Sequence, residues 1–204
     1  MKLNPTEFFL MNNPLRNCIQ EHIEIKRIRK YIQLSSERIV LDIGCGTGNS
    51  SRLIKKYFKT KKIYALDIDK RMIAIAKRKN KDPSISFEVG DATHLKFKNK
   101  RFDAIFDIGV IHHIPQWKKC LHELKRVLKP GGQLIIEDLS RETFSTPFGK
   151  IMKKMLDHPY HAMYKENEFV KYLKKINFKI QIIKRYDFGI RYFVIIAQKE
   201  KSFA

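Results

Sequence analysis

Short apolar runs alternate along this chain with longer stretches in which apolar residues recur every three or four positions. The runs near 38–43, 61–66, 85–89, 103–108 and 132–138 predict strands, and the stretches near 48–58, 70–79 and 116–128 predict the helices between them. Strands separated by helix-length connections must lie parallel, with right-handed crossovers. After Lys165 the pattern predicts a helix near 166–176, then two β-rich runs, 180–186 and 191–197, around Asp187-Phe188-Gly189. A glycine-containing turn between two such runs is a hairpin signal.

Two segments fall outside this rhythm, and both are expected over the carboxyl ends of the strands, where open α/β sheets bind ligands. In residues 1–34, Ile19, Ile23, Ile28 and Ile32 form a stripe at near-helical spacing, best read as packing, and Phe8 and Phe9 are candidates to fold down as a lid. In residues 139–165, Phe144, Phe148, Met152, Met155, Met163 and Tyr164 are candidates to shape an acceptor pocket, with plain packing as the alternative.

The first strand breaks into Asp42-Ile43-Gly44-Cys45-Gly46-Thr47-Gly48 and then enters a helix. Three alternate glycines let backbone approach a bound molecule closely, which points to a nucleotide-like cofactor. Spacing excludes two readings. The dinucleotide pattern needs glycine where Asn49 stands, and the phosphate-cradling loop needs a lysine before Ser50. What remains resembles the first motif of the class I S-adenosylmethionine-dependent methyltransferases, in the small-molecule branch of methyltransferase type 11.

Three further stations resemble that family. Ile63-Tyr64-Ala65-Leu66-Asp67 ends a second strand in a carboxylate, Gly90-Asp91-Ala92 closes a third, and Leu128-Lys129-Pro130-Gly131-Gly132 follows the fourth strand and its helix. The resemblance implies S-adenosyl-L-methionine as cofactor, with Asp67 on the ribose hydroxyls and Asp91 on the adenine amino group. The implied cofactor contacts are Asp42, Gly44, Cys45, Gly46, Gly48, Asp67, Ile68, Asp91, Ala92 and Asp107. It also implies a Rossmann-like, doubly wound seven-stranded α/β sheet, mostly parallel, closed by an antiparallel hairpin whose last strand inserts between the fifth and sixth. One domain over 1–204 is expected, with 1–34 as a helical lid, 35–140 as cofactor core, 141–165 as an acceptor-side insertion and 166–204 as helix and hairpin.

Composition narrows the setting. Three cysteines in no C-x-x-C pair suggest neither a disulfide framework nor a zinc site, so a reducing cytoplasm is expected. The apolar run Phe8-Phe9-Leu10-Met11 is too short for a signal peptide or membrane span. The net charge of +21 invites a nucleic-acid partner, but its lysines are spread evenly, as on a solvated surface. RNA is therefore the second reading. Against it, Asp107-Ile108-Gly109-Val110 stands where base-amine methylation expects Asn/Asp-Pro-Pro-Tyr. A non-catalytic scaffold is a third reading, disfavoured by the intact glycines and acidic stations.

His112 is the candidate for the acceptor pocket and for a general base, because imidazole titrates near neutrality and the residue follows the fourth strand. His113 is read as structural. Glu137 and Asp138, at the end of the fifth strand, are expected to face the same cleft and to orient a cationic amine, or else to cap. No metal-ligand spacing is found, and no metal is expected.

Overall fold

The computed structural model describes residue 8 and residues 13–155, 159–187 and 190–201; the side chains of Phe148 and Met155 lie outside what it describes. Seven strands form one sheet: β1 (Ile39–Ile43), β2 (Lys62–Asp67), β3 (Ile85–Val89), β4 (Phe102–Ile108), β5 (Leu128–Asp138), β6 (Phe178–Asp187) and β7 (Arg191–Lys199). Their order is β3-β2-β1-β4-β5-β7-β6. The first five strands pair in parallel, and β7 pairs antiparallel with both β5 and β6. The expected sheet and the inserted last strand are thus observed. Phe188 and Gly189, of the expected hairpin turn, lie outside the described residues.

All seven residues of β4 are buried, because helices cover both faces of the sheet there. On one face, α5 (Trp117–Val127) and α7 (Glu166–Lys175) pack Leu121, Leu124, Phe169 and Leu173 against Phe102, Ile105, Ile136 and Phe193. On the other, α3 (Asn49–Phe58) and α4 (Lys70–Lys79) pack Leu53, Ile54, Ile73 and Ala76 against Val40, Ile63, Ala104 and Phe106.

The N-terminal helix differs from its sequence reading. It is α-helical over α1 (Pro14–Ile19), π-helical over Gln20–Ile25 and α-helical again over α2 (Lys26–Arg29). Asn13 caps its start by accepting the Arg16 amide at 2.8 Å. The wider π turn shifts the phase of the apolar face. Ile25, Ile28 and Ile32 are therefore buried, while Ile19 and Ile23 stay 38% and 39% exposed. The stripe drawn through Ile19, Ile23, Ile28 and Ile32 joined two faces. Phe8 lies with the Arg71 guanidinium 5.0 Å from its ring centroid, and Phe9 lies outside the described residues.

β5 starts at Leu128, four residues earlier than the apolar run suggested, because Leu128 pairs with Phe102 across a register shift before regular pairing resumes at Gln133. A further helix, α6 (Pro147–Met155), was not predicted. Among the described residues, no helix is long and apolar enough to cross a membrane.

Candidate functional site

A cleft of about 370 Å³ opens at the carboxyl ends of β1, β2, β3 and β4. Its floor is the turn after β1. Gly44, Gly46 and Gly48 all have positive φ, but for different reasons. A Cβ on Gly44 would lie 2.3 Å from the Val110 side chain, and one on Gly48 would press on Asn80 and Phe87. At Gly46 (φ +54°) and at Gly109 (φ +73°) a Cβ would meet nothing within 4 Å. Both also line the cleft. The space a side chain would fill is left for a ligand.

The carboxylate at the end of β2 ties this turn to its neighbour. Asp67 accepts the Gly46 amide at 2.9 Å through one oxygen and the Asp69 amide at 2.8 Å through the other. Each oxygen keeps a lone pair for a hydroxyl donor. Burial pushes this carboxyl up, and the two amides pull it back. Asp91, after β3, accepts the Thr93 amide at 2.8 Å and is held below the usual carboxylate range by Thr93 and His94, against its partial desolvation. Between them Leu66, Ile68, Met72 and Ala92 give the cleft apolar walls.

Asp42, Gly48 and Asp107 do not line the cleft. Asp42 is buried and accepts the hydroxyls of Ser50 and Ser51 at 2.7 and 2.6 Å, fixing the first turn of α3 to β1. Desolvation raises it to about 6, despite the two hydroxyls. Asp107, fully buried, accepts the Val110 and Ile111 amides at 3.0 and 3.2 Å and so shapes the loop after β4. Burial, then the nearby Asp138, push it well above the carboxylate range.

The two histidines lie on different sides of their turn. His112 is buried, its Nδ1 paired with Asp138, which also accepts the His112 amide at 2.9 Å and the Tyr164 hydroxyl at 2.5 Å. It is His113 that lines the cleft, its ring centroid 4.0 Å from that of His112. The cause is the short 3₁₀ turn Ile111–His113, which aims successive side chains to different sides. Glu137 and Asp138 do not face the cleft either. Glu137 is buried, and desolvation and the nearby Glu24 raise it well above the carboxylate range.

Among the described residues, the segment 139–165 contributes none to this cleft, and Met163 and Tyr164 are packed into the core. Its place is taken by Arg16, Asn17 and Gln20 from the N-terminal helix. Gln20 accepts from the Asn49 side chain at 2.6 Å, and Glu21 binds Lys56 at 2.5 Å, which fastens that helix to α3. Nothing in the spacing of residues 13–34 marked these three polar positions. Gly109 did carry a signal, an isolated glycine directly after a strand. Among the described residues, no group of three or more His, Cys, Asp or Glu is placed to hold a metal ion.

Comparison with known proteins shows what this chain is similar to. The family model described as methyltransferase domain matches residues 41–136. A demethylmenaquinone methyltransferase of Staphylococcus saprophyticus is 32% identical over 148 residues, which cover 65% of this chain and 64% of that protein. Phthiotriol/phenolphthiotriol dimycocerosates methyltransferase 1 of Mycobacterium ulcerans is 31% identical over 121 residues, 59% of this chain and 44% of that one. The chain thus spans less than two thirds of these relatives. Among solved structures, an S-adenosylmethionine-dependent methyltransferase from Aquifex aeolicus superposes with a TM-score of 0.75 at 23% identity, covering 97% of this chain and all of that one. The putative methyltransferase solved with the Trm112 activator of Haloferax volcanii gives 0.78 at 15% identity, covering 93% and 95%. Both share the fold.

Proposed function

We propose that this chain, whose residues 41–136 match the family model of a methyltransferase domain, is an S-adenosylmethionine-dependent methyltransferase acting on a small-molecule acceptor. The observation that carries the reading is the open space at Gly46 and Gly109, facing two acidic residues in one cleft. These residues fit the cofactor: backbone at Gly44, Cys45 and Gly46 for its methionine end, Asp67 for the ribose hydroxyls, Asp91 for the adenine amino group, and Ile68 and Ala92 for the faces of the base. Asp42, Gly48 and Asp107 serve it indirectly, by shaping the turns that touch it. When bound, the cofactor supplies an electrophilic methyl group on a sulfonium.

The chain's own work is then positioning. The apolar walls exclude water from a step in which charge disappears, and an acceptor held at attack distance gains an effective molarity of about 10⁵ M or more. In our reading His113, on the cleft wall, orients the acceptor or takes its proton. His112, locked to Asp138 and packed with its ring tilted against that of His113, holds that ring in place. The names of the relatives, demethylmenaquinone and phthiotriol dimycocerosates methyltransferases, favour small acceptors. The charge of +21 favours RNA as the second reading. Three free thiols at Cys18, Cys45 and Cys120 fit a cytoplasmic setting.

The test is calorimetry with S-adenosylmethionine, followed by labelled-methyl screening of metabolite and RNA pools. Asp67→Ala removes a charged acceptor worth about 1.5–3 kcal/mol, so cofactor affinity is expected to fall at least roughly tenfold. Unchanged affinity would overturn the assignment. His113→Ala is expected to lower turnover with cofactor affinity retained, and label accumulating at one RNA nucleotide would replace the small-molecule reading.

A further inference from the structure

A second cavity, of about 250 Å³, lies beyond the end of β5. Arg141, Phe144, Ser145, Lys153, Tyr160 and His161 line it. Three of these six carry nitrogen donors that are or can become cationic, two carry hydroxyls, and among the described lining residues none is a carboxylate. Its frame is fixed. The 3₁₀ turn Arg141–Ser145 is closed by reciprocal bonds between Ser140 and Thr143, the Thr143 hydroxyl donates to the Arg191 carbonyl, and the Arg141 amide donates to the Tyr164 carbonyl at 3.0 Å. The Phe144 and Tyr160 rings meet edge to face at 4.9 Å, and the Lys153 ammonium stands 5.1 Å from the centre of the Tyr160 ring. Neither Arg141 nor Lys153 is held by a carboxylate among the described residues.

Such a cavity is too small for a whole drug-sized ligand, for which about 300 Å³ or more is usual, but it suits one charged group. A guanidinium, an ammonium and hydroxyl donors lining one cavity match the oxygens of a phosphate. We propose that this cavity is a phosphate subsite, separate from the cofactor cleft, which anchors a phosphate-bearing ligand.

The test titrates the full chain with inorganic phosphate by calorimetry, and in parallel sediments it with vesicles of phosphatidylglycerol or of phosphatidylcholine. The double variant Arg141→Ala/Lys153→Ala is compared with Lys96→Ala/Lys98→Ala, which removes equal charge from exposed positions away from both cavities. Saturable phosphate binding that weakens at least about tenfold in the first variant only is the expected result. If the first variant alone also loses sedimentation with phosphatidylglycerol, the phosphate belongs to a lipid headgroup; if vesicle binding is absent or unchanged, it belongs to a soluble ligand. Absence of saturable phosphate binding, or equal loss in both variants, overturns the proposal. S-adenosylmethionine affinity measured in both variants separates this outcome from failure of the methyltransferase reading, since neither variant touches the cofactor cleft.

Discussion

A glycine that faces empty space differs from one pressed against its neighbours. Gly44 and Gly48 are small because Val110, Asn80 and Phe87 leave no room, so a side chain there damages packing. Gly46 faces the cleft, and Gly46→Val is expected to abolish S-adenosylmethionine binding in calorimetry while the circular dichroism spectrum stays native. The remaining cost is its left-handed backbone, about 1–2 kcal/mol. Asp42 offers a test of a different kind. Its carboxyl is raised from 3.8 to about 6, so between those values the folded chain holds a proton that the unfolded chain has released. The penalty for burying its charge is full above about pH 6 and gone below the unfolded value. Relative to Asp42→Asn, wild type should therefore gain on the order of 3 kcal/mol as pH falls from 7 to 4 in urea titrations. The residues Asp42, Asp67 and Asp91 were all conspicuous in sequence as carboxylates closing apolar strands. That Asp42 holds the first turn of α3 and Asp107 the loop after β4 was not visible there, because it depends on side-chain direction at the ends of buried strands.

At the scale of elements, strands were the most legible, since their apolar runs are short, continuous and bounded by glycine, aspartate or lysine. The N-terminal helix was the least legible, because one π turn moves every later side chain to a new face. Its two halves should respond unequally to truncation. Ile28→Ala leaves a cavity in the closed core that it shares with Leu53 and Ile135 and is expected to cost about 2–5 kcal/mol, whereas Ile19→Ala, at a half-open position, should stay within about 0.5 kcal/mol in the same unfolding assay. The α6 helix escaped the sequence reading because Pro147, Gly149 and its three lysines obscure the apolar period. The cleft wall built by Arg16, Asn17 and Gln20 escaped it because those polar residues acquire a role only when the π turn and the Glu21–Lys56 pair dock the helix on α3.

Across the whole molecule, the distribution of charge is more lopsided than the formal count of +21. Asp42, Asp103, Asp107, Glu137 and Asp138 are buried, while the described lysines stay at the surface or half-exposed, so the surface presents fewer anions than the sequence holds. A solvated surface of this kind attracts any polyanion weakly. Filter binding to unspecific RNA is expected to be weak at physiological salt, to fall steeply as salt rises, and to be indifferent to S-adenosylmethionine. Tight, cofactor-dependent binding of one RNA would instead mark the surface as a substrate track.

The position of β7 governs how the chain must come together during synthesis. β7 leaves the ribosome after β5 and β6 but sits between them, so β5 keeps an open edge and β6 has no partner until residues 191–199 emerge. The four strands that build the cofactor cleft, β1 to β4, are by then complete and already mutually paired. The nascent protein thus passes through a stage in which its ligand-binding half is assembled while an apolar edge, Leu134 to Ile136, lies unpaired, the stage at which it is most exposed to aggregation and most dependent on chaperones.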